Sequence, residues 1–274
     1  MDEPEVVNEN SVDHEATLEK LRARVESELV KDYPEDRGWL DDACLNRYLR
    51  ARKFDWTKAF AMLEATLRWR REFGVVKIIT DVSDGLRKEG EAPKTYVNGK
   101  DMEGRPIMYM KPRFQNTEES EFQMHHLVYN LERAISEMEP PVEKMVIVMD
   151  FKQLSRRNNP SLSTQKQTLN ILQNHYPERL GMAILVDAPP LFHALYKVIR
   201  PFVDPVTRSK IAWMKSSPST SSTNIQHQNI LTEIASSDQV ESEYGGSSNF
   251  FYDGEAYFAA PLVLRYLTNA ESKN

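Results

Sequence analysis

The chain has little cysteine, no long apolar run and no excess of basic residues, and each shortage excludes a class of protein. Its 274 residues contain one cysteine, Cys44, so an intrachain disulfide is excluded and a reducing compartment is expected. No apolar run approaches the roughly 18 residues of a membrane-spanning helix. The formal net charge of -6 argues against nucleic acid as the main partner, because phosphate neutralisation requires a basic surface.

Motifs of common catalytic and nucleotide-binding sites are also missing. We find no GxSxG, GxGxxG or GxxxxGK[ST] pattern. The adjacent His125 and His126 cannot share a helix face, and no histidine has a Cys, Asp or Glu at metal-ligand spacing, so we expect no metal site. Asp150 ends the apolar run KMVIVMD and is the best lone carboxylate. A strand-end cap is the favoured role for it, and the alternative is a hydrolase that uses Asp150 and His175. The sequence otherwise predicts no enzyme.

The N-terminal third has the pattern of a small helical module. Residues 1–13 are acidic and rich in Asn, which predicts a disordered tail, and their lack of an apolar segment predicts no secretory signal. Neither a Met-Gly start nor a Cys-a-a-X end is present, so no lipid anchor is expected. Apolar residues then recur at helical spacing over 14–30, after the cap residues Asp41 and Asp42, and over 58–73, where Asp55 precedes the helix and Gly74 ends it.

The rest of the chain alternates apolar strands with helices. Strands are predicted at 107–110, 144–151, 181–186 and 211–214, preceded by a strand and turn at 96–99. Helices are predicted at 118–138, 163–175, 225–235 and 259–267. This alternation predicts an α/β fold with a mostly parallel or mixed sheet flanked by helices. We place an N-terminal module at 14–80 and a larger domain at 81–270.

The stretch from 175 to 214 organises this larger domain. It contains GMAILV at 181–186, a run typical of a strand buried on both faces, and a double proline follows. An apolar stripe at helical spacing comes next, bounded by Asp204-Pro205. One interpretation is an ordinary crossover helix of an α/β enzyme, and the other is a mobile lid over an apolar cavity. The stripe consists of Leu191, Phe192, Leu195, Val198, Ile199 and Phe202.

Three motifs in this stretch carry a family resemblance. YPERLG, the double-proline turn and RPFVDPVTRSK closely resemble the CRAL-TRIO family, nearest to the fungal secretory-pathway phosphatidylinositol transfer proteins, the Sec-fourteen-like branch. The block LNRYLRARKFDWTKAFAMLEATLRWRREFG resembles the helical module that precedes the lipid-binding lobe in that family, and a DGRP-like turn has Glu103 in place of Asp. The resemblance implies a CRAL-TRIO lipid-binding lobe whose cavity is closed by a mobile lid helix.

The resemblance also implies a headgroup site. Family members hold an inositol phosphate with residues that match Arg52, Glu178, Thr207 and Lys210. Lys210 and Arg52 would meet the phosphodiester through charge-assisted hydrogen bonds of roughly 1.5–3 kcal/mol each. Glu178 and Thr207 would bind inositol hydroxyls, and Arg179 is an additional candidate. The alternative is that these charges form ordinary salt bridges.

The predicted apolar cavity departs from the family in an informative way. Relatives that also carry phosphatidylcholine have Ser and Thr where this chain has Met145 and Ile147. A choline phosphate there would lose its donors, so we expect phosphatidylcholine to be refused and a second, more hydrophobic ligand such as a sterol to have room. Glu241 is a further departure, because relatives usually have Pro there. The predicted cavity residues are Met145, Ile147, Met149, Met182 and Ile184.

The function that this resemblance implies is phosphatidylinositol binding and transfer. We expect a monomer that is cytoplasmic and meets a membrane surface transiently, with bound phosphatidylinositol as its ligand and no cofactor. The alternative keeps the fold and changes the role. It is a lipid-sensing scaffold that presents phosphatidylinositol to a lipid kinase or binds a small GTPase, without bulk transfer.

Overall fold

The structure, a computed structural model, describes residues 9–118, 120–155, 161–190, 192–193, 196, 208–215 and 230–262. Within these residues the chain divides into two compact units. The first unit consists of residues 9–74 together with Leu172–Glu178, and the second takes the other described residues. The first unit is therefore not continuous in sequence, which no composition shift in the chain indicates.

The first unit is a bundle of helices whose ends match the cap residues predicted from sequence. Asp41 accepts a hydrogen bond from the Cys44 amide at 2.7 Å, and Asp55 accepts one from the Lys58 amide at 3.1 Å. Gly74 ends the last helix in the left-handed conformation, with φ at 73°. The elements are α1 (Glu9–Val25), a π-helical turn (Glu26–Val30), a 3-10 turn (Pro34–Gly38), α2 (Asp42–Ala51) and α3 (Trp56–Phe73).

One boundary in this unit differs from the prediction. Helix α1 begins at Glu9, inside the segment predicted to be disordered. A polar first turn has the composition of a disordered tail, so composition alone does not separate the two. The apolar stripes of α1, α2 and α3 meet in one buried core that includes Leu21, Val25, Cys44, Leu45, Leu49, Leu63 and Leu67.

The second unit alternates strands and helices. Its elements are α4 (Val75–Thr80), α5 (Asp84–Glu89), β1 (Thr95–Lys100), β2 (Pro106–Met110), a 3-10 turn (Pro112–Phe114), α6 (Ser120–Ser136), β3 (Met145–Asp150), α7 (Leu162–His175), β4 (Leu180–Val186), β5 (Ile211–Met214), α8 (Ile230–Ile234), 3-10 turns at Ser237–Gln239 and Ser242–Tyr244, and α9 (Gly254–Ala259). The last turn of α7 belongs to the first unit.

Two boundaries in this unit differ from the prediction. Helix α4, placed by sequence in the N-terminal module, belongs to the second unit and packs on α6. Helix α9 ends at Ala259, where a helix over 259–267 was predicted to begin. Residues 260–262 are not helical, and residues 263–267 lie outside the described part of the chain. The Asp253 side chain caps α9 by accepting a hydrogen bond from the Ala256 amide at 3.0 Å. An Asp-Gly pair followed later by Pro261 is the signal for this helix.

The described strands form one mixed sheet in the order β1-β2-β3-β4-β5. Strands β1 and β2 are antiparallel, and the three remaining neighbour pairs are parallel, as the alternating pattern predicts. Strands β2 to β5 therefore end at one edge of the sheet, called here the carboxyl edge, and begin at the opposite amino edge.

One face of the sheet is buried beneath the segment that follows α8. Tyr109 lies on this face, level with Val148 and Ile184 on the neighbouring strands. The Tyr244 ring stacks on Tyr109 at 5.4 Å between centroids, and Phe250 stacks on Tyr96 at 5.6 Å. We call this the tyrosine face.

A group of charged side chains lies at the carboxyl edge beneath the same segment, and we call it the buried ion network. Lys111 contacts Glu241 at 2.9 Å and also Glu243, while Arg113 contacts Glu243 at 2.8 Å and also Asp150. The hydroxyl of Tyr96 donates to Glu241 at 2.7 Å, and that of Tyr244 donates to Asp150 at 2.7 Å. Glu241 therefore binds the C-terminal segment to the sheet.

Candidate functional site

The second face of the sheet is apolar and incompletely covered. Met149, Ala183, Ile211 and Trp213 lie on it, and each is half-buried. On the tyrosine face Val148, Ile184 and Val186 are fully buried, whereas Met182 and Ala212 are half-buried. Half-covered apolar side chains on a sheet flanked by helices are typical of a site for an apolar ligand. We call this the half-buried face.

Strand register corrects the predicted cavity lining. Ile147 is level with Ala183, and Met149 with Leu185, so these four side chains share the half-buried face. Side chains alternate along a strand, so Met182 and Ile184 lie on the tyrosine face instead. One cavity therefore cannot be lined by all five predicted residues. The set that shares the half-buried face is Met145, Ile147, Met149, Ala183, Leu185, Ile211 and Trp213.

Aromatic rings cover the carboxyl-edge end of this face. The His193 ring stacks on Trp213 at 4.0 Å, and Phe192 lies 5.2 Å from the Phe151 ring. Phe192 and His193 are helical, at the start of the predicted lid. Sequence reasoning missed Trp213, because its place on this face depends on the pairing of β5 with β4. The remaining predicted lid residues lie outside the described part of the chain: Leu191, Leu195, Val198, Ile199 and Phe202.

Two predicted headgroup residues lie at the amino edge of the sheet. Arg179 precedes β4, and its carbonyl accepts a hydrogen bond from the Met145 amide at 2.8 Å. Lys210 precedes β5, and its carbonyl accepts from the Ala183 amide at 2.7 Å. The Arg179 guanidinium donates to the Glu143 carbonyl at 2.8 Å, whereas Lys210 forms no ion pair with a described residue. Thr207 lies outside the described residues.

The two remaining predicted headgroup residues, Arg52 and Glu178, belong to the first unit. Glu178 ends the segment Leu172–Glu178, which α3 holds in place. The Trp69 ring stacks on His175 at 4.1 Å, nearly parallel, and the Thr66 hydroxyl donates to the Asn174 carbonyl at 3.1 Å. A buried helix face therefore fixes the backbone that leads to Glu178.

Glu178 and the two residues after Arg52 have unusual backbone conformations. Glu178 has φ at 58°, in the left-handed region, and forms no ion pair with a described residue. Arg52 ends α2, and the two residues after it, Lys53 and Phe54, also have positive φ. Such conformations cost on the order of 1–3 kcal/mol each for non-glycine residues and concentrate at ligand sites. The Arg52 guanidinium contacts only the Ala51 carbonyl, at 3.2 Å, among the described residues.

We expect the protein to lose stability as the pH falls from about 6.5 to about 4, because of His175. Burial, with Arg70 nearby, lowers the pKa of His175 from 6.5 to about 4. Within this window the unfolded chain binds a proton that the folded chain does not, so acidification favours unfolding. Melting temperatures of the wild type and His175→Phe, measured by circular dichroism across this range, check the prediction. The variant should show the weaker fall, and equal falls would contradict it.

The alternative of a hydrolase based on Asp150 finds no support in the surroundings of that carboxylate. Asp150 is 1% exposed and accepts hydrogen bonds from Arg113, from the Tyr244 hydroxyl and from the Lys152 amide at 2.8 Å. These partners occupy both of its oxygens, as expected for a strand-end cap.

Two features are absent from the described residues. Among them, no three His, Cys, Asp or Glu side chains form a group that could hold a metal ion. In the same part of the chain, no helix has both the length and the apolar character needed to cross a membrane.

Two protein-family models match this chain. The CRAL/TRIO domain model matches residues 91–246, and the model of the CRAL/TRIO N-terminal domain matches residues 17–65. The chain therefore belongs to the CRAL/TRIO family, as the motifs of the 175–214 stretch predict.

Named relatives of this chain are fungal proteins. It is 38% identical to a CRAL-TRIO domain-containing protein of Schizosaccharomyces pombe, over 84% of this chain and 21% of that protein. It is 34% identical to the phosphatidylinositol transfer protein PDR17 of Saccharomyces cerevisiae, over 81% of this chain and 62% of that protein. It is 32% identical to the SEC14 cytosolic factor of Candida glabrata, over 85% of this chain and 78% of that protein. The chain thus spans about a fifth of the first relative and less than two thirds of the second.

A solved structure supports the same fold. The crystal structure of Sfh5 matches 98% of this chain and 99% of its own, with a TM-score of 0.64 and 17% sequence identity. The predicted fold, a helical N-terminal module followed by a lobe with a mixed sheet flanked by helices, is confirmed.

Proposed function

We propose that this protein binds phosphatidylinositol and transfers it between membranes. The observation that carries the proposal is the half-buried apolar face in a CRAL/TRIO lobe, together with relatives named as phosphatidylinositol transfer proteins. Lipid binding follows from the family. Selection of the inositol headgroup is our inference from Arg52, Glu178, Thr207 and Lys210.

The apolar face supplies what lipid extraction requires. Each methylene group kept from water contributes about 0.8 kcal/mol, so two acyl chains of about 15 carbons represent on the order of 20 kcal/mol. A carrier must provide a comparable apolar environment. The side chains of Met145, Ile147, Met149 and Leu185 offer it, and none of them carries a charged or hydrogen-bonding group.

Charge supports the headgroup assignment. Glu178 and Lys210 form no ion pair with a described residue. An anionic phosphate and inositol hydroxyls would give both side chains partners. Arg179 is engaged with the Glu143 carbonyl, which makes it the weaker candidate.

Entry and exit of the lipid require a gate, and we assign it to the predicted lid helix over 191–202. The support is that Phe192 and His193, at its start, lie on Trp213 and Phe151 beside the half-buried face. A helix bounded by two proline-containing loops is suited to move as one piece. Lys197, Arg200 and Arg208 would meet anionic lipids at about 1 kcal/mol each, so docking on the membrane stays reversible.

Mass spectrometry of the lipid extracted from mixed vesicles tests the proposal, and it should recover phosphatidylinositol without phosphatidylcholine. Met145 and Ile147 share the half-buried face and offer no donor to a choline phosphate. The double change Met145→Ser with Ile147→Thr should raise phosphatidylcholine recovery at least about tenfold, the effect of one charge-assisted hydrogen bond.

The matched control places the same hydroxyls on the other face, as Val146→Ser with Val148→Thr. That variant should leave phosphatidylcholine recovery unchanged. Strong recovery of phosphatidylcholine by the wild type would contradict the assignment of this strand.

A cell-free assay separates transfer from presentation. A transfer protein moves labelled phosphatidylinositol from donor to acceptor vesicles without any other protein. A scaffold that presents lipid to a lipid kinase, or that binds a small GTPase, would retain the lipid and move little of it.

A further inference from the structure

An unusual turn ends α2 at Arg52. The Phe54 amide donates to the Leu49 carbonyl at 2.8 Å, and the Lys53 amide donates to the Arg50 carbonyl at 3.2 Å. This pair of bonds is the Schellman motif, whose left-handed residue after the helix is usually glycine. Here Lys53 and Phe54 are both left-handed, with φ at 52° and 62°. Two consecutive side chains therefore occupy a conformation that residues other than glycine disfavour.

The direction of the Arg52 side chain depends on this turn. Arg52 is the cap residue of α2, and its carbonyl accepts a hydrogen bond from the Asp55 amide at 3.0 Å. Its guanidinium contacts only the Ala51 carbonyl among the described residues. A rarely populated backbone conformation persists only where the surrounding structure holds it. The contacts that hold Phe54 therefore also determine where Arg52 points.

Phe54 is held between the core of the first unit and a second ring. The half-buried Phe54 side chain packs against the helical core. The His14 ring, on α1, stacks on Phe54 at 3.7 Å between centroids and 5° between planes. His14 is itself exposed, so its ring covers Phe54 on the solvent side. Stacked aromatic pairs stabilise a structure beyond the area that they bury.

The helical spacing of α1 places His14 for this contact. Leu18 and Leu21 follow it by four and seven positions, and both pack in the core of the first unit. Residues at these spacings share one face of a helix, so His14 extends the core-facing stripe by one turn. Sequence reasoning gave His14 no role, because its contact with Phe54 joins two separate segments.

We propose that His14 is a positioning residue of the headgroup site. By holding the Phe54 ring it stabilises the left-handed turn, and the turn directs the Arg52 guanidinium to the lipid phosphate. The contact joins two ring faces, so the role requires an aromatic ring at this position and does not depend on the imidazole nitrogens. The inference rests on the proposed function, in which Arg52 meets the phosphodiester, and it adds a residue that acts through Arg52.

Equilibrium binding of labelled phosphatidylinositol from vesicles is the first test. His14→Ala should weaken binding about two- to tenfold, the range expected for the loss of one aromatic stack. His14→Phe keeps a ring and should bind nearly as the wild type does. In an Arg52→Ala background, His14→Ala should cause no further loss, because residues that act through one another are not additive.

Amide hydrogen exchange in the lipid-free protein tests the structural step without any lipid. The amides of Lys53 and Phe54 should exchange about two- to tenfold faster in His14→Ala than in the wild type, because the stack no longer opposes opening of the turn. His14→Phe should restore the wild-type rates. The amide of Val148, in the sheet, should exchange equally in all three proteins.

The controls separate positioning from folding. His14→Ala should keep a melting temperature close to that of the wild type by circular dichroism, because the ring is exposed. Glu15→Ala changes the next residue of α1, which is also exposed, and should leave both binding and exchange unchanged.

Several results would overturn the inference. One is an equal loss on His14→Ala with and without Arg52, and another is unchanged exchange at Phe54. A third is wild-type binding by His14→Ala beside weakened binding by Arg52→Ala, which would leave the proposed function standing. Equal losses in His14→Ala and His14→Phe would assign the effect to the imidazole nitrogens and contradict the stacking role. A wild type that binds no phosphatidylinositol would contradict the proposed function, and the role of His14 would fall with it.

Discussion

Replacing Lys210 with alanine should reduce phosphatidylinositol binding roughly ten- to hundredfold and abolish measurable transfer. Lys210 forms no ion pair within the described part of the chain, and a phosphodiester would give its charge a partner. One charge-assisted hydrogen bond contributes roughly 1.5–3 kcal/mol, which sets the size of the loss. A vesicle-to-vesicle transfer assay with labelled phosphatidylinositol measures it, and circular dichroism checks that the fold is intact.

Two further variants make the result specific to this position. Lys210→Arg keeps the charge and should retain part of the transfer. Lys166→Ala removes an exposed cation of α7 and should leave transfer unchanged. Wild-type transfer by Lys210→Ala would show that the headgroup assignment is wrong.

The fold was largely predictable because its signals are local. The caps Asp41 and Asp55 and the stop at Gly74 each depend on a few neighbouring residues, and the structure has them as predicted. Strand β5 has the bounds that its apolar run indicates. Where local signals were weak, as in the polar first turn of α1, the boundary was missed.

The lining of the candidate site was less predictable, because it depends on strand register. Along β4 every residue from Met182 to Val186 is apolar, so alternation does not show which of them share a face with Ile147. The pairing of Ile147 with Ala183 decides it, and this pairing joins positions far apart in sequence.

The role of Glu241 could not be predicted for a similar reason. Its partners Tyr96 and Lys111 precede it by 145 and 130 positions. The sequence showed Glu241 only as a departure from the proline of relatives. Its buried contacts account for a carboxylate at that place.

Lys111→Met should destabilise the protein by about 3–5 kcal/mol, the usual cost of leaving a buried charge without its partner. The Lys111 side chain is 5% exposed, and it lies over the rings of Tyr96, Tyr109 and Tyr244 at 5.1–5.4 Å. Removing it leaves Glu241 buried with hydroxyl and amide donors alone. For a chain of this size the change corresponds to a fall in Tm of about 10 °C, measured by circular dichroism.

A second substitution shows whether the lost stability comes from the unpaired charge. In Lys111→Met with Glu241→Gln, the glutamine still accepts a hydrogen bond from Tyr96 but carries no charge, so most of the stability should return. Lys58→Met, which breaks an exposed pair with Asp55, should leave Tm nearly unchanged, because solvent screens that pair. If Lys111→Met has the melting temperature of the wild type, the buried ion network does not hold the C-terminal segment on the sheet. If it melts early and the double variant does not recover, the loss comes from the packing of Lys111 against the tyrosine rings.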